Sequence, residues 1–306
     1  MLTSRAWFAP AREGALLAPL LLLLAALGLA GLLAPPLFAV LDGRLSLETL
    51  LGRGALLLIA LTAWLCIRRE GFNRSTLGIE TGGHSAWRAL GAGFLLGVLI
   101  LAVLSAGLVW LGIRLPDWES LGRPWPLLLQ SAGKALLTGT LVALIEEPLF
   151  RGVLLGVLRQ KCGIVLAVIF SAFYYALPHF LHAESKIPLE QMHWDSGLRL
   201  AADALRHMAD WRHADSFLAL WLAGVFLAVL RLRSNLFYCI GVHAGWVFVL
   251  RLSRSLTDLD PHSPRAAWVG SYDSTIGWLA AAWLGLVTVT WLAWLHHRRI
   301  LCSSPV

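Results

Sequence analysis

The chain has 306 residues, 58% hydrophobic and 14% charged, with a formal charge of +7 and a positive mean hydropathy. That balance excludes an ordinary water-soluble domain and indicates a polytopic membrane protein. The cations are scattered through short loops and form no stripe with stacking aromatics, so they point to membrane topology and anionic lipid, not to nucleic acid.

Apolar runs long enough to cross a hydrocarbon core of about 30 Å recur eight times, near 15–40, 50–67, 89–112, 126–158, 162–181, 216–232, 235–252 and 276–296. They predict an all-α bundle of about eight transmembrane helices. The first run follows Arg12 as a secretory signal would, but it is longer than a signal core and the chain after it is equally apolar, so it reads as a retained span. Trp64, Trp110, Trp278 and Trp294 stand at run ends as interfacial anchors. Cys66, Cys162, Cys239 and Cys302 show neither metal-type nor disulfide-framework spacing. With both termini cytoplasmic, the inside loops carry Arg5, Arg12, Arg68, Arg69, Arg74, Arg88, Arg159, Lys161, Arg231, Arg233, Arg298 and Arg299. The one long extramembrane segment is 182–215. Within it Leu198, Ala201, Leu205 and Met208 recur with helical period among charged residues, which predicts an amphipathic helix in the interface. The chain divides into N-terminal helices over 1–125, a core over 126–252, and a C-terminal loop with the last span over 253–306.

The fourth run contains Leu144-Ile145-Glu146-Glu147-Pro148-Leu149-Phe150-Arg151, two carboxylates and a guanidinium at membrane depth. Ionisable groups there cost several kcal/mol and commonly line a cavity or carry function. Glu147 and Arg151 are one turn apart and can pair, whereas Glu146 is turned about 100° away. One acid is then held by a cation and the other is left for chemistry. A buried ion-pair knot that only fixes helix packing would use the same three residues.

Two further runs carry imidazoles, His179 at the end of the fifth and His243 within the seventh. An acid without a cation partner, desolvated near two imidazoles, is suited to act as a general base on water. The imidazoles can orient that water, protonate a leaving amine or donate to an oxyanion, so peptide-bond hydrolysis is the natural assignment. Glu146, His179 and His243 could also form a two-His, one-carboxylate metal set. No His-Glu-x-x-His string occurs, however, and a mechanism without metal or cofactor is the preferred reading. A proton-coupled transporter would need paired broken-helix repeats, which the sequence lacks.

At these three stretches the sequence resembles the CPBP family of intramembrane proteases, which takes in CAAX prenyl endopeptidases and bacterial proteins of bacteriocin processing or immunity. The family pattern is Glu-Glu-x-x-x-Arg, then aromatic-x-x-x-His, then His-x-x-x-Asn. Glu146 to Arg151 matches the first, Tyr175 to His179 the second with Tyr as the aromatic, and His243 to Val247 the third only at its His. The resemblance implies Glu146 as base for the attacking water, His179 as the second catalytic group and His243 as a holder of the scissile carbonyl and its oxyanion. It implies Glu147 and Arg151 as stabilisers of the site. Val247 cannot hydrogen-bond, so Tyr175 or Asn235 is a candidate replacement donor. The expected partners are membrane lipid and a protein or peptide substrate in or near the membrane. A chain this rich in Leu, Ala and Arg looks bacterial, so the expected location is a bacterial cytoplasmic membrane. The alternative is a non-catalytic binding, immunity or scaffold protein of the same fold. The sequence carries no signal for oligomeric state.

Overall fold

The computed structural model describes residues 12–69, 73–79, 83–183, 187, 191–270 and 272–303. Arg5, and 184–186 and 188–190 of the extramembrane segment, lie outside the described residues. The chain is a polytopic helical bundle. Six stretches are long and apolar enough to cross a membrane: Glu13–Val40, Leu47–Arg69, Gly83–Trp110, Trp211–Arg233, Leu236–Leu256 and Trp278–His297. The other two expected runs are helical but different in kind. The fourth begins as α6 (Trp125–Glu147), which carries Lys134 and both glutamates, and continues through a π-helical turn (Pro148–Leu154) into α7 (Leu155–Cys162). The fifth is the shorter apolar stretch Ile164–Phe180.

Packing groups the chain into two bodies, Met1–Phe72 with Val153–Trp211, and Asn73–Gly152 with Arg212–Val306. The first contains α1 (Arg12–Val40), α2 (Leu47–Arg69), α7, α8 (Ile164–Ala176) and α9 (Ser196–Met208). Asp42 and Gly43 take φ of 50° and 69° in the turn that reverses the chain between α1 and α2. Leu23, Leu27, Ala30 and Ala34 of α1 then meet Leu47, Leu51 and Ala55 of α2, with Leu200 and Ala201 of α9 completing the cluster. The predicted amphipathic helix is therefore present as α9, but much of its apolar face is taken up by protein. Gly31 and Gly197 allow this approach, because a Cβ at Gly31 would lie 2.9 Å from the Gly197 carbonyl oxygen. The polar side keeps an exposed Asp195–Arg199 pair at 2.8 Å.

The second body contains α3 (Arg74–Leu77), α4 (Gly83–Trp110), α5 (Trp118–Leu121), α6, α10 (Ala214–Arg233), α11 (Leu236–Leu256) and α12 (Trp278–Ser303). Its centre is α11, which lies against α4 and α6. The sequence makes this possible with small residues one turn apart. Gly93 and Gly97 face the carbonyls of Tyr238 and Val242, and Gly241 and Gly245 face those of Leu90 and Phe94. On the other side Gly139 of α6 meets the Ala244 carbonyl. Any larger side chain here must push two backbones apart. Gly241→Leu is accordingly expected to abolish the monodisperse peak in detergent size-exclusion chromatography, whereas Gly107→Leu, with open space around it, is expected to leave that peak in place.

At one end of this body β1 (Arg114–Pro116) pairs antiparallel with β2 (Thr257–Leu259), Arg114 opposite Leu259. The loop after β2 is pinned from three sides. Arg114 donates to the Ser274 carbonyl at 3.0 Å, Ser216 Oγ donates to the Ile276 carbonyl at 2.7 Å, and Asp273 pairs with Arg254. Exposed Trp110, Trp118, Trp125, Trp268 and Trp278 gather at this end, as at a membrane–water boundary. The opposite end is basic, with Arg74, Arg231 and Arg233. There Arg231 donates to the Thr76 carbonyl at 3.2 Å and Leu236 N–H to the Gly78 carbonyl at 2.9 Å.

Candidate functional site

The first motif sits where α6 gives way to the π-helical turn. Pro148 has no N–H to give the helix, which removes one ladder hydrogen bond at this point, and the backbone widens into i→i+5 pairing over Pro148–Leu154. Glu147, the last residue of α6, and Arg151 within the wide turn meet at 3.0 Å, with side chains 0% and 2% exposed. Arg151 also donates to the Gly224 carbonyl of α10 at 3.5 Å. The expected Glu147–Arg151 pair is thus formed, with both groups away from solvent.

His243 completes the cluster from α11, placed by the glycine-mediated contact of that helix with α6. Its Nδ1 is 2.8 Å from Glu147 Oε1, the oxygen that also receives Arg151. A carboxylate held by a guanidinium can only accept, so Nδ1 carries the shared proton. This leaves Nε2 turned toward Glu146, 3.9 Å from its Oε2. The imidazole therefore stands between the two acids, fixed by one and facing the other. Glu146 is the more open, 26% exposed against 0% for Glu147. Its Oε2 is nonetheless buried and has no hydrogen-bond partner among the described residues. Such an orphaned oxygen in a native fold calls for a functional or solvent explanation. At 3.9 Å, one water can hydrogen-bond Oε2 and Nε2 together.

His179 and Tyr175 belong to the other body. Pro178 turns the end of α8 into a short 3₁₀ segment, Leu177–Phe180, which carries His179. His179 Nδ1 lies 3.0 Å from the Tyr175 carbonyl, and the two rings meet edge to face at 5.1 Å. Tyr175 is buried, at 2% exposure. Spacing of aromatic-x-x-x-His thus puts the ring one turn below the imidazole and fixes its tilt.

One expectation about replacement donors changes. Asn235 is the N-cap of α11, its side-chain oxygen accepting from Tyr238 N–H at 3.0 Å. It stands eight residues from His243, about 12 Å along the helix, and does not join the cluster. Val247 fills the contact with α6, because a Cβ added at Gly139 would lie 3.4 Å from its own Cβ. A residue that sequence reasoning missed is Tyr272, in the pinned loop before α12. Burial raises its pKa, the charge of Arg254 opposes that, and the charge of Glu146 adds to it, so the hydroxyl stays protonated at neutral pH and lies within the field of the Glu146 carboxylate. The Asp273-Ser274-Thr275 string was the available signal for an ordered turn there, since Asp273 accepts from Thr275 and Ile276 N–H. Among the described residues no three His, Cys, Asp or Glu side chains converge as a metal site.

Residues 128–249 match the family model described as type II CAAX prenyl endopeptidase Rce1-like. No curated protein and no solved structure matches the chain. The matched stretch runs from α6 into α11 and takes in Glu146, Glu147, Arg151, Tyr175, His179 and His243. The family is one of proteases that work at membranes, in keeping with the six membrane-length helices. With motifs and family model coinciding on one stretch, residues 128–249 are similar to the CPBP family of CAAX-type membrane proteases.

Proposed function

We infer that the protein is an intramembrane endopeptidase that hydrolyses a peptide bond of a membrane-embedded or membrane-tethered substrate with water activated by Glu146. One observation carries this reading: Glu146 Oε2 is buried, unpartnered among the described residues, and 3.9 Å from Nε2 of the His243 imidazole, whose Nδ1 is fixed on the other side. A water donating one hydrogen to Oε2 and the other to Nε2 presents its lone pairs for attack. Glu146 takes a proton as the water oxygen bonds to the scissile carbonyl carbon. The tetrahedral oxyanion then collapses, the C–N bond breaks, and the proton passes from Glu146 to the leaving amine. Glu147 and Arg151 hold His243 in register and touch no reacting atom. The resemblance assigns His179 as the second catalytic group. Similarity to that family over residues 128–249 supports reading the 126–252 stretch as the catalytic core.

Val247 removes the family's usual amide donor, and Tyr272, which the Glu146 charge reaches, is the residue to test as a replacement. Losing one oxyanion donor costs about a hundredfold or more in rate. Tyr272→Phe is therefore expected to lower kcat by about tenfold to a thousandfold, with thermal stability unchanged in a detergent melt; an unaltered kcat would remove Tyr272 from the mechanism. His243 is the eighth residue of α11 from the basic end. Positive-inside bias places that end in the cytoplasm of a bacterial cell, so the site opens nearer the cytoplasmic face.

The test is mass spectrometry of membrane-protein C-termini in cells with and without this chain. New termini inside or beside membrane segments are expected only where the protein is present, and identical termini in both would contradict proteolysis. The second reading, a non-catalytic immunity or scaffold protein, is favoured by Val247 alone and predicts that second result.

A further inference from the structure

A cavity of about 260 Å³ lies within the first body, well away in sequence from Glu146. Leu23 and Leu27 of α1 and Gly52, Ala55 and Ile59 of α2 form its long walls, and Pro178 and Leu181, which flank His179, close one side. Both long walls belong to membrane-length helices. Gly52 and Ala55 create the hollow by withholding side-chain volume from α2. The lining is apolar except at Glu48 and His182.

Its dimensions and charge identify the occupant. Glu48 is in the first turn of α2 and Ile59 is eleven residues further on, which is about 16 Å of helix. Half of a hydrocarbon core of about 30 Å is about 15 Å, so the length of the cavity along α2 matches the depth of one acyl chain in one leaflet. At its mouth the half-buried Glu48 carboxylate has no hydrogen-bond or ion-pair partner among the described residues. A carboxylate in that position attracts a cation and repels an anionic head group. A free alkyl chain would leave Glu48 unanswered.

We propose that this cavity is a lipid site that takes one acyl chain of a phosphatidylethanolamine, with the primary ammonium of the head group at Glu48. Because Pro178 and Leu181 form part of the wall, a chain seated there also braces the turn that carries His179. The site is distinct from the proteolytic reading, and its test reads binding, not cleavage.

The full chain is reconstituted in vesicles containing a trace of phosphatidylethanolamine with a photoreactive diazirine midway along one acyl chain, then irradiated and mapped by mass spectrometry. Labelling at Leu51, Leu56 and Ile59 is expected to exceed that at lipid-exposed Leu292 of α12 at least fivefold. Ala55→Trp, which fills the hollow, is expected to bring those sites down to the Leu292 level while labelling at Leu292 persists as the folding control. If that variant fails to fold, Gly52→Leu takes its place with the same expectation. Glu48→Gln is expected to lose the preference over a phosphatidylglycerol probe carrying the same chain. Labelling of α2 no stronger than Leu292, or unmoved by filling the hollow, overturns the site. Equal labelling by both head groups in the unmodified chain overturns the ammonium assignment.

Discussion

Glu146→Gln is expected to abolish cleavage of the membrane peptides identified in cells, lowering the rate by about a hundredfold to ten-thousandfold, the range for loss of general base catalysis. The substitution keeps the size of the side chain and its ability to hydrogen-bond, and Glu146 supports no ion pair with Arg151 that would be lost with it. Membrane insertion, expression and the detergent melting curve are expected to match the parent. Undiminished cleavage at matched protein level would take Glu146 out of the reaction. Glu147→Gln behaves differently, because it removes the charge that holds both Arg151 and His243.

The largest stability effect is expected at Arg151→Met. Breaking a buried pair from one side leaves the other charge without compensation and costs about 3–5 kcal/mol, a large part of a total stability of about 5–15 kcal/mol. Arg151 is the cation within 4 Å of Glu147, and its second arm reaches the Gly224 carbonyl, so its loss leaves His243 as the remaining partner and loosens the tie to α10. The readout is the fraction of protein that stays monodisperse after heating in detergent, expected to fall sharply against the parent. Replacing Glu147 and Arg151 together by Leu and Met is expected to recover much of that fraction but not the cleavage, since His243 then loses the acceptor that holds its Nδ1. Equal loss of folded protein in the single and double variants would show that the pair itself is not what Arg151 stabilises.

Much of this was legible before any coordinates. Run length and composition set the helical membrane class, and the spacing of Glu147 and Arg151 set their pairing, because a one-turn separation leaves little choice of partner. What spacing could not give was the place of His243 between two acids. That depends on Gly139 bringing α6 and α11 into backbone contact, with Gly241 and Gly245 seating α11 against α4, a tertiary effect that no local pattern encodes. The same limit misled the reading of Asn235: Asn before an apolar run is as much a cap as a catalytic donor, and the cap won. The π-helical turn was foreshadowed by Pro148 but not its extent. Tyr272 escaped notice because its loop is ordered by distant groups, Arg114, Ser216 and Arg254. For α9 the period of the apolar residues was right, but whether lipid or protein covers that face depended on Gly31 opposite Gly197.

The most direct measurement is a single turnover on an identified peptide in water enriched in oxygen-18, followed by mass spectrometry of both product and protein. A water activated by Glu146 and aimed by His243 Nε2 places one heavy oxygen in the new C-terminal carboxylate and none in the protein. Label recovered in the Glu146 side chain would mean that the carboxylate attacks the carbonyl itself, and the water-activation account would be contradicted.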